Sequence, residues 1–131
     1  MERATRIREL LDRDRYAAGL GISLVEVTDT EVVVAMPVTS EHENFHDGIH
    51  GGAVFSLADC AFSLASNAAG DAVAIDTHMA FTAGADRGDT LTATAVEVTR
   101  GRTLGTYRVT VSRADGRTCA LFTGTVYILP G

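Results

Sequence analysis

NFHDGIHGGAVFSLADCAFSLASNAA, the stretch from Asn44 to Ala69, decides how this chain folds. Gly48, Gly51 and Gly52 allow a tight backbone turn and close approach of a ligand, and no further Gly or Pro occurs until Gly70. The pattern predicts a glycine-marked helix start followed by about five turns of helix. Apolar and small residues, among them Val54, Phe55, Leu57, Ala61, Phe62 and Leu64, occupy most of its circumference, so other elements must wrap it. Ser56, Asp59, Ser63, Ser66 and Asn67 follow spacings of three and four and fall on one polar stripe. A helical Asp is ordinarily a solvated surface group. The small residues around Asp59 and the glycine start favour a second reading, a carboxylate facing a ligand. The free N–H groups of such a helix start, at the positive end of the dipole, suit a carbonyl oxygen that is becoming an anion.

Outward from this helix the chain reads as strands. Leu20 to Val27 and Glu31 to Val38 form a hairpin through the turn TDTE, and Pro37 marks a strand end or a sheet edge. Ala72 to Thr82, Thr90 to Thr99, Thr103 to Arg113 and Arg117 to Leu129 are rich in Val, Thr, Ile and aromatics, with Asp115-Gly116 as a tight hairpin signal. After the first hairpin only the central stretch is long enough for a crossover helix, so the sheet is expected to be antiparallel. Ala93, Ala95, Gly105 and Gly124 are small residues inside strands and leave a groove in which a helix can lie close. Thr5 to Ala18 reads as a short amphipathic helix, stopped by Gly19 and Gly21, that packs on an edge of the domain. The expected architecture is α+β, one long helix wrapped by a curved antiparallel sheet of five to six strands, plus a short N-terminal helix. No repeat, linker or low-complexity segment divides residues 1–131, which are expected to form one domain.

A net charge of -6 argues against nucleic acid, which needs a basic surface, but not against a phosphate-bearing ligand. No apolar run suggests a membrane span, and the charged start MERATRIRELLDRDRY is no export signal, so the cytoplasm is the expected location. Cys60, in the buried helix, and Cys119, in a strand, lack metal-ligand spacing and read as reduced core thiols.

Asn44, then His50-Gly51-Gly52, then Phe55-Ser56-Leu57-Ala58-Asp59 resembles the signature of hotdog-fold acyl-CoA thioesterases of the phenylacetic acid degradation type. The later AFTAGADRGDTLTATAVEVTRGRT resembles the strand, turn and Gly-Asp segment of that family, so the likeness covers nearly the whole chain. The resemblance implies that the Gly51 N–H binds the thioester oxygen. It also implies that His50 and Asn44 orient the thioester or the attacking water, and that Asp59 is general base or nucleophile. Ser63 and Thr77 match positions where related enzymes place hydroxyls near that carboxylate. Cys60 departs from the Thr often found there, and His46 and Asp47 add ionisable groups to the loop. The implied substrate is an aryl-acetyl, aryl or medium-chain acyl-CoA, with CoA a part of the substrate and no separate cofactor.

The chemistry is consistent on its own terms. If cysteine is the guide, a thiol leaving group has a pKa of about 8.5 and departs near neutral pH with little help, so one carboxylate and one oxyanion site can suffice. Burial in an apolar helix should raise the Asp59 pKa and make it a better base. No G-x-S-x-G elbow anchors a Ser-His-Asp alternative. His42, His46 and His50 recur every four residues and would line one face of a helix as a metal site, but Asn44 and the glycines oppose a continuous helix there. His42 and His46 are instead expected to be polar loop residues, and no metal is expected. An acyl-CoA-binding hotdog protein without turnover, or a hotdog hydratase or dehydratase, are the alternatives in function. Arg87, Arg100 and Arg102 lie in turns where guanidinium groups can meet CoA phosphates, or remain simply solvated. Gly51 and Asp59 are eight positions apart, roughly 12 Å along one helix axis, too far to act on one thioester. A homodimer with helices antiparallel about a two-fold axis near Phe55 would pair them across subunits, with two shared sites and further pairing into a dimer of dimers.

Overall fold

Six strands rich in β-branched residues pair into a single antiparallel sheet in the computed structural model, which describes residues 2–131. The elements are α1 (Arg3–Asp12), α2 (Arg15–Leu20), β1 (Ser23–Val27), β2 (Glu31–Pro37), a 3-10 turn (Ser40–His42), α3 (Gly51–Ser66), β3 (Ala72–Phe81), β4 (Thr90–Arg100), β5 (Leu104–Arg113) and β6 (Thr118–Ile128). Strand order is β1-β2-β4-β5-β6-β3, with every neighbouring pair antiparallel. β2 therefore lies inside the sheet, and Pro37 marks its end, opposite Thr90. Arg113 and Arg117 close the β5–β6 hairpin, with Gly116 in the left-handed conformation that the turn requires.

The long helix α3 crosses one face of this sheet, the α+β hotdog arrangement expected from the sequence. Leu57, Ala58, Ala61 and Phe62 are fully buried there, against Val32, Val34, Leu91, Ala93 and Val109 of the sheet. Gly124 sets how closely the layers approach. A Cβ at that position would stand 2.7 Å from a Phe62 ring carbon and 2.9 Å from one of Phe122, so any side chain there would force the helix off the sheet.

The N-terminal segment departs from the single helix expected over Thr5 to Ala18. It is two helices, because Asp14 adopts an extended backbone and accepts the Ala17 N–H as the N-cap of α2. Local hydrogen bonding by Asp competes with helix continuation, and the amphipathic pattern on either side conceals the break. α1 buries Ile7 completely and sends Arg6 to the far end of α3, where Nε donates to the Asn67 carbonyl (2.7 Å) and a terminal nitrogen meets Asp71 (3.0 Å). Asn67 caps α3 and donates its side-chain amide to Ser63, so the helix stops at Ser66, three residues before the expected end.

Candidate active site

The start of α3 is shaped by side chains bonding to nearby backbone. Asn44 Oδ1 accepts from the N–H groups of His46 (2.8 Å) and Gly48 (3.3 Å), while its Nδ2 donates to the Ile49 carbonyl (3.4 Å). Asp47 takes a left-handed φ of 62° inside this turn, a conformation Asp tolerates better than most residues. The chain then reaches His50, the N-cap of α3, whose Nδ1 accepts the Gly52 N–H at 2.8 Å. Gly52 is needed for that cap, since a Cβ there would approach Nδ1 to 2.9 Å. With Nδ1 accepting, the ring proton sits on Nε2, and His50 is exposed, so Nε2–H is available as a donor. The Gly51 N–H finds no acceptor among the described residues. Two donors thus stand at the positive end of a 16-residue helix, suited to a carbonyl oxygen that gains charge. Phe81 of β3 lies 3.5 Å from where a Gly51 Cβ would be, and a depression of about 430 Å³ opens beside it between Ile49, Val54 and Gly84.

Asp59 lies two turns further along α3, half-buried, with Ser56 and Ser63 also half-buried on the same stripe. Burial raises its pKa above the ordinary carboxylate value, and the negative charge of Asp14 on α2 raises it further. Asp14 was not among the residues singled out from the sequence, because its proximity arises from α2 folding back on α3. In the same fold the Tyr16 hydroxyl reaches Ser56 Oγ at 3.0 Å. Burial also pushes the neighbouring Cys60 thiol up to about 12, so it is no thiolate nucleophile at neutral pH.

Thr77 comes level with Asp59 through the path of β3. Asn67 Oδ1 accepts the Ala72 N–H at one end of this strand and Phe81 meets Gly51 at the other, so β3 runs back along α3. Asp59 is roughly 12 Å from Gly51 along the helix, and Thr77 is roughly 13 Å from Phe81 along the strand. Thr77 pairs with Gly124 and therefore faces the helix side of the sheet. In one chain Asp59 and Ser63 thus lie at mid-helix, with the exposed Thr77 level with them on β3, while Asn44, His50 and Gly51 lie at the helix start.

The arginines divide. Arg100 turns inward, donating from one nitrogen to the Ser66 carbonyl (3.1 Å) and the Tyr107 hydroxyl (2.7 Å), and so closes the C-terminal end of α3. Arg87 is exposed but paired with Glu43, and Arg102 is exposed in the β4–β5 turn. The histidines separate too. His46 lies against Phe45 with ring centroids 4.5 Å apart, and His50 caps α3. His42 corrects the expectation of a polar loop residue: it is only 4% exposed, Nδ1 accepting from Thr39 N–H and Nε2 bonding the Leu20 carbonyl at 2.8 Å. Thr39 and His42 form a reciprocal capping box around the 3-10 turn, with His in the place usually taken by Glu or Gln, which is why it escaped notice. Among the described residues no three His, Cys, Asp or Glu side chains cluster as metal ligands, and no helix is long and apolar enough to cross a membrane.

The thioesterase superfamily model matches residues 46–120. Acyl-coenzyme A thioesterase PaaI of Escherichia coli is 37% identical over 123 residues, covering 93% of this chain and 88% of that protein. Its structure, described as the PaaI protein from the phenylacetic acid degradation operon, superposes with a TM-score of 0.94 at 35% identity, over 98% of this chain and 94% of that one. A mutant of the phenylacetic acid degradation protein PaaI of Thermus thermophilus is 41% identical with a TM-score of 0.85, covering 88% of this chain and all of that one (100%). A Streptococcus mutans protein solved with acetyl-CoA bound is 28% identical with a TM-score of 0.79, over 82% and 88% of the two chains. On these likenesses the chain belongs to the thioesterase superfamily as a PaaI-like hotdog thioester hydrolase.

Proposed function

We propose that this protein hydrolyses acyl-CoA thioesters at sites shared between two subunits, with an aryl-acetyl, aryl or medium-chain acyl group as substrate. The observation that carries the reading is the pairing of a free Gly51 N–H at the α3 start with a half-buried Asp59 whose pKa is raised. The thioester oxygen is received by Gly51 N–H and His50 Nε2–H of one subunit. Asp59 of the partner subunit, ionised, removes a proton from water as it attacks, or attacks the carbonyl carbon itself to give an acyl anhydride that water hydrolyses after the thiolate has left, freeing the acid and Asp59. The C–S bond then breaks, and the thiolate leaves as CoA without a strong general acid. Asn44 holds the turn that presents His50, and one hydrogen of its amide remains for a water or the thioester. The relative solved with acetyl-CoA supports a CoA-bearing substrate. Arg102, exposed in the β4–β5 turn, is available to meet its phosphates, with Arg87 available by exchange from Glu43.

The shared site rests on two independent features. The roughly 12 Å between Gly51 and Asp59 along one helix exceeds what a single carbonyl carbon can bridge. In addition, β3 is a sheet edge of ten residues that exposes Ile75 (59%) and Phe81 (58%), an edge that natural proteins ordinarily cover. A second copy laid antiparallel on β3 would continue the sheet and bring the two α3 helices side by side.

Complementation tests this. Asp59→Ala and Asn44→Ala, each nearly inactive alone, are mixed under subunit exchange and assayed by thiol release from a panel of acyl-CoA thioesters. In a heterodimer one site carries both lesions and the other none, so random mixing restores about a quarter of wild-type sites. Verified heterodimers without recovery would refute the shared site.

A further inference from the structure

The first turn of α2 lies against the Asp59 stripe at two points. The Tyr16 hydroxyl is 3.0 Å from Ser56 Oγ, three residues before Asp59 on α3, and Asp14 is close enough for its charge to act on both Asp59 and Cys60. The α2 helix cannot swing freely, since Ala17 is buried and the chain beyond it is tied by the bond from His42 to the Leu20 carbonyl. Tyr16 nevertheless leaves 69% of its surface exposed. A tyrosine tied at its hydroxyl and open along its ring presents an aromatic face held towards the Asp59 stripe, with two side-chain torsions to order on contact.

We propose that Tyr16 is a specificity-determining residue, its ring forming one wall of the acyl subsite beside Asp59 and favouring acyl groups that end in an aromatic ring. This rests on the thioesterase reading above. The thioester carbon must lie within about 3 Å of the attacking group, with its oxygen directed to the donors at the helix start and its sulfur to CoA. The acyl tail takes the remaining direction, along the polar stripe and past Ser56, where α2 supplies Tyr16. Ser56 contributes by fixing the ring through its hydroxyl, and it does not take part in the chemistry.

The test compares kcat/KM for phenylacetyl-CoA and acetyl-CoA in wild type, Tyr16→Ala and Tyr16→Phe, with thermal melting of each variant. Aromatic pairing of ordinary strength predicts that Tyr16→Ala lowers the phenylacetyl-to-acetyl ratio about fivefold, mainly through KM. Tyr16→Phe keeps the ring but loses its tie to Ser56, so its ratio falls between those of Tyr16→Ala and wild type. Equal losses on both substrates in Tyr16→Ala, or an unchanged ratio, would overturn the assignment and leave Tyr16 a structural tie between helices. A Tyr16→Phe variant as impaired as Tyr16→Ala would overturn it as well. Wild-type protein inert towards every acyl-CoA is a different result, which sinks the underlying function.

Discussion

At its start, α3 is organised by bonds that reach only a few residues along the chain: Asn44 to His46, Gly48 and Ile49, and His50 to Gly52. At its middle, Asp59 is half-buried beside a segment distant in sequence, with the charge of Asp14, the N-cap of α2, acting on it and Tyr16 reaching Ser56 one turn away. The first region exposes backbone donors at a helix end. The second keeps a carboxylate half out of water at a cost. The difference teaches that the oxyanion end is a local device, whereas the basicity of Asp59 is a tertiary property. Substitutions can separate them.

The largest effect is expected from Asp59→Asn, which should lower turnover by about 10²–10⁴-fold while the protein still melts cooperatively. The folded-state pKa of Asp59 is raised, so the folded state prefers the protonated form. Stability from this group is full below the unfolded pKa and declines as pH rises through the folded one. At neutral pH, Asp59→Asn should therefore melt at the wild-type temperature or higher, and a calorimetric scan beside the thiol-release assay checks both statements. A clearly lower melting temperature would mean that the carboxylate also supports the fold.

Gly51→Pro probes the other end by removing the proposed donor alone. Proline is tolerated at the first helical position, and His50 already has φ -70° and ψ 130°, the extended conformation required before proline. Space exists too, since a Cβ at Gly51 meets only the Phe81 ring at 3.5 Å. The variant should fold and lose about 10²–10³-fold in kcat, the usual scale for one oxyanion donor. Near wild-type kcat would remove the Gly51 N–H from the mechanism.

The smallest effect is expected from Asp14→Asn. Asparagine caps helices as well as aspartate does, so α2 should persist while the negative neighbour of Asp59 is lost. The Asp59 pKa then falls part of the way towards its ordinary value, because desolvation, the larger cause, remains. The acid limb of the kcat profile should move to lower pH, with the plateau unchanged. A limb that stays in place would show that Asp14 is too well screened to matter.

The amino-acid sequence by itself determined the strand runs, the antiparallel pairing, the groove at Gly124 and the glycine-marked start of α3. Each of these depends on local periodicity, turn residues or side-chain size, which act over short stretches. It also placed Asp59 on the polar stripe, since helical spacing is a local property. Only the tertiary structure decided that Arg100 closes the end of α3 and that His42 is buried with its ring bonded to the Leu20 carbonyl. Only the tertiary structure also brought Tyr16 to Ser56 and β3 to the sheet edge. These arrangements join residues far apart in sequence, and no pattern within either segment encodes the distance between them. Their stability comes from burying apolar surface jointly, which exists only once the helices and the sheet have packed.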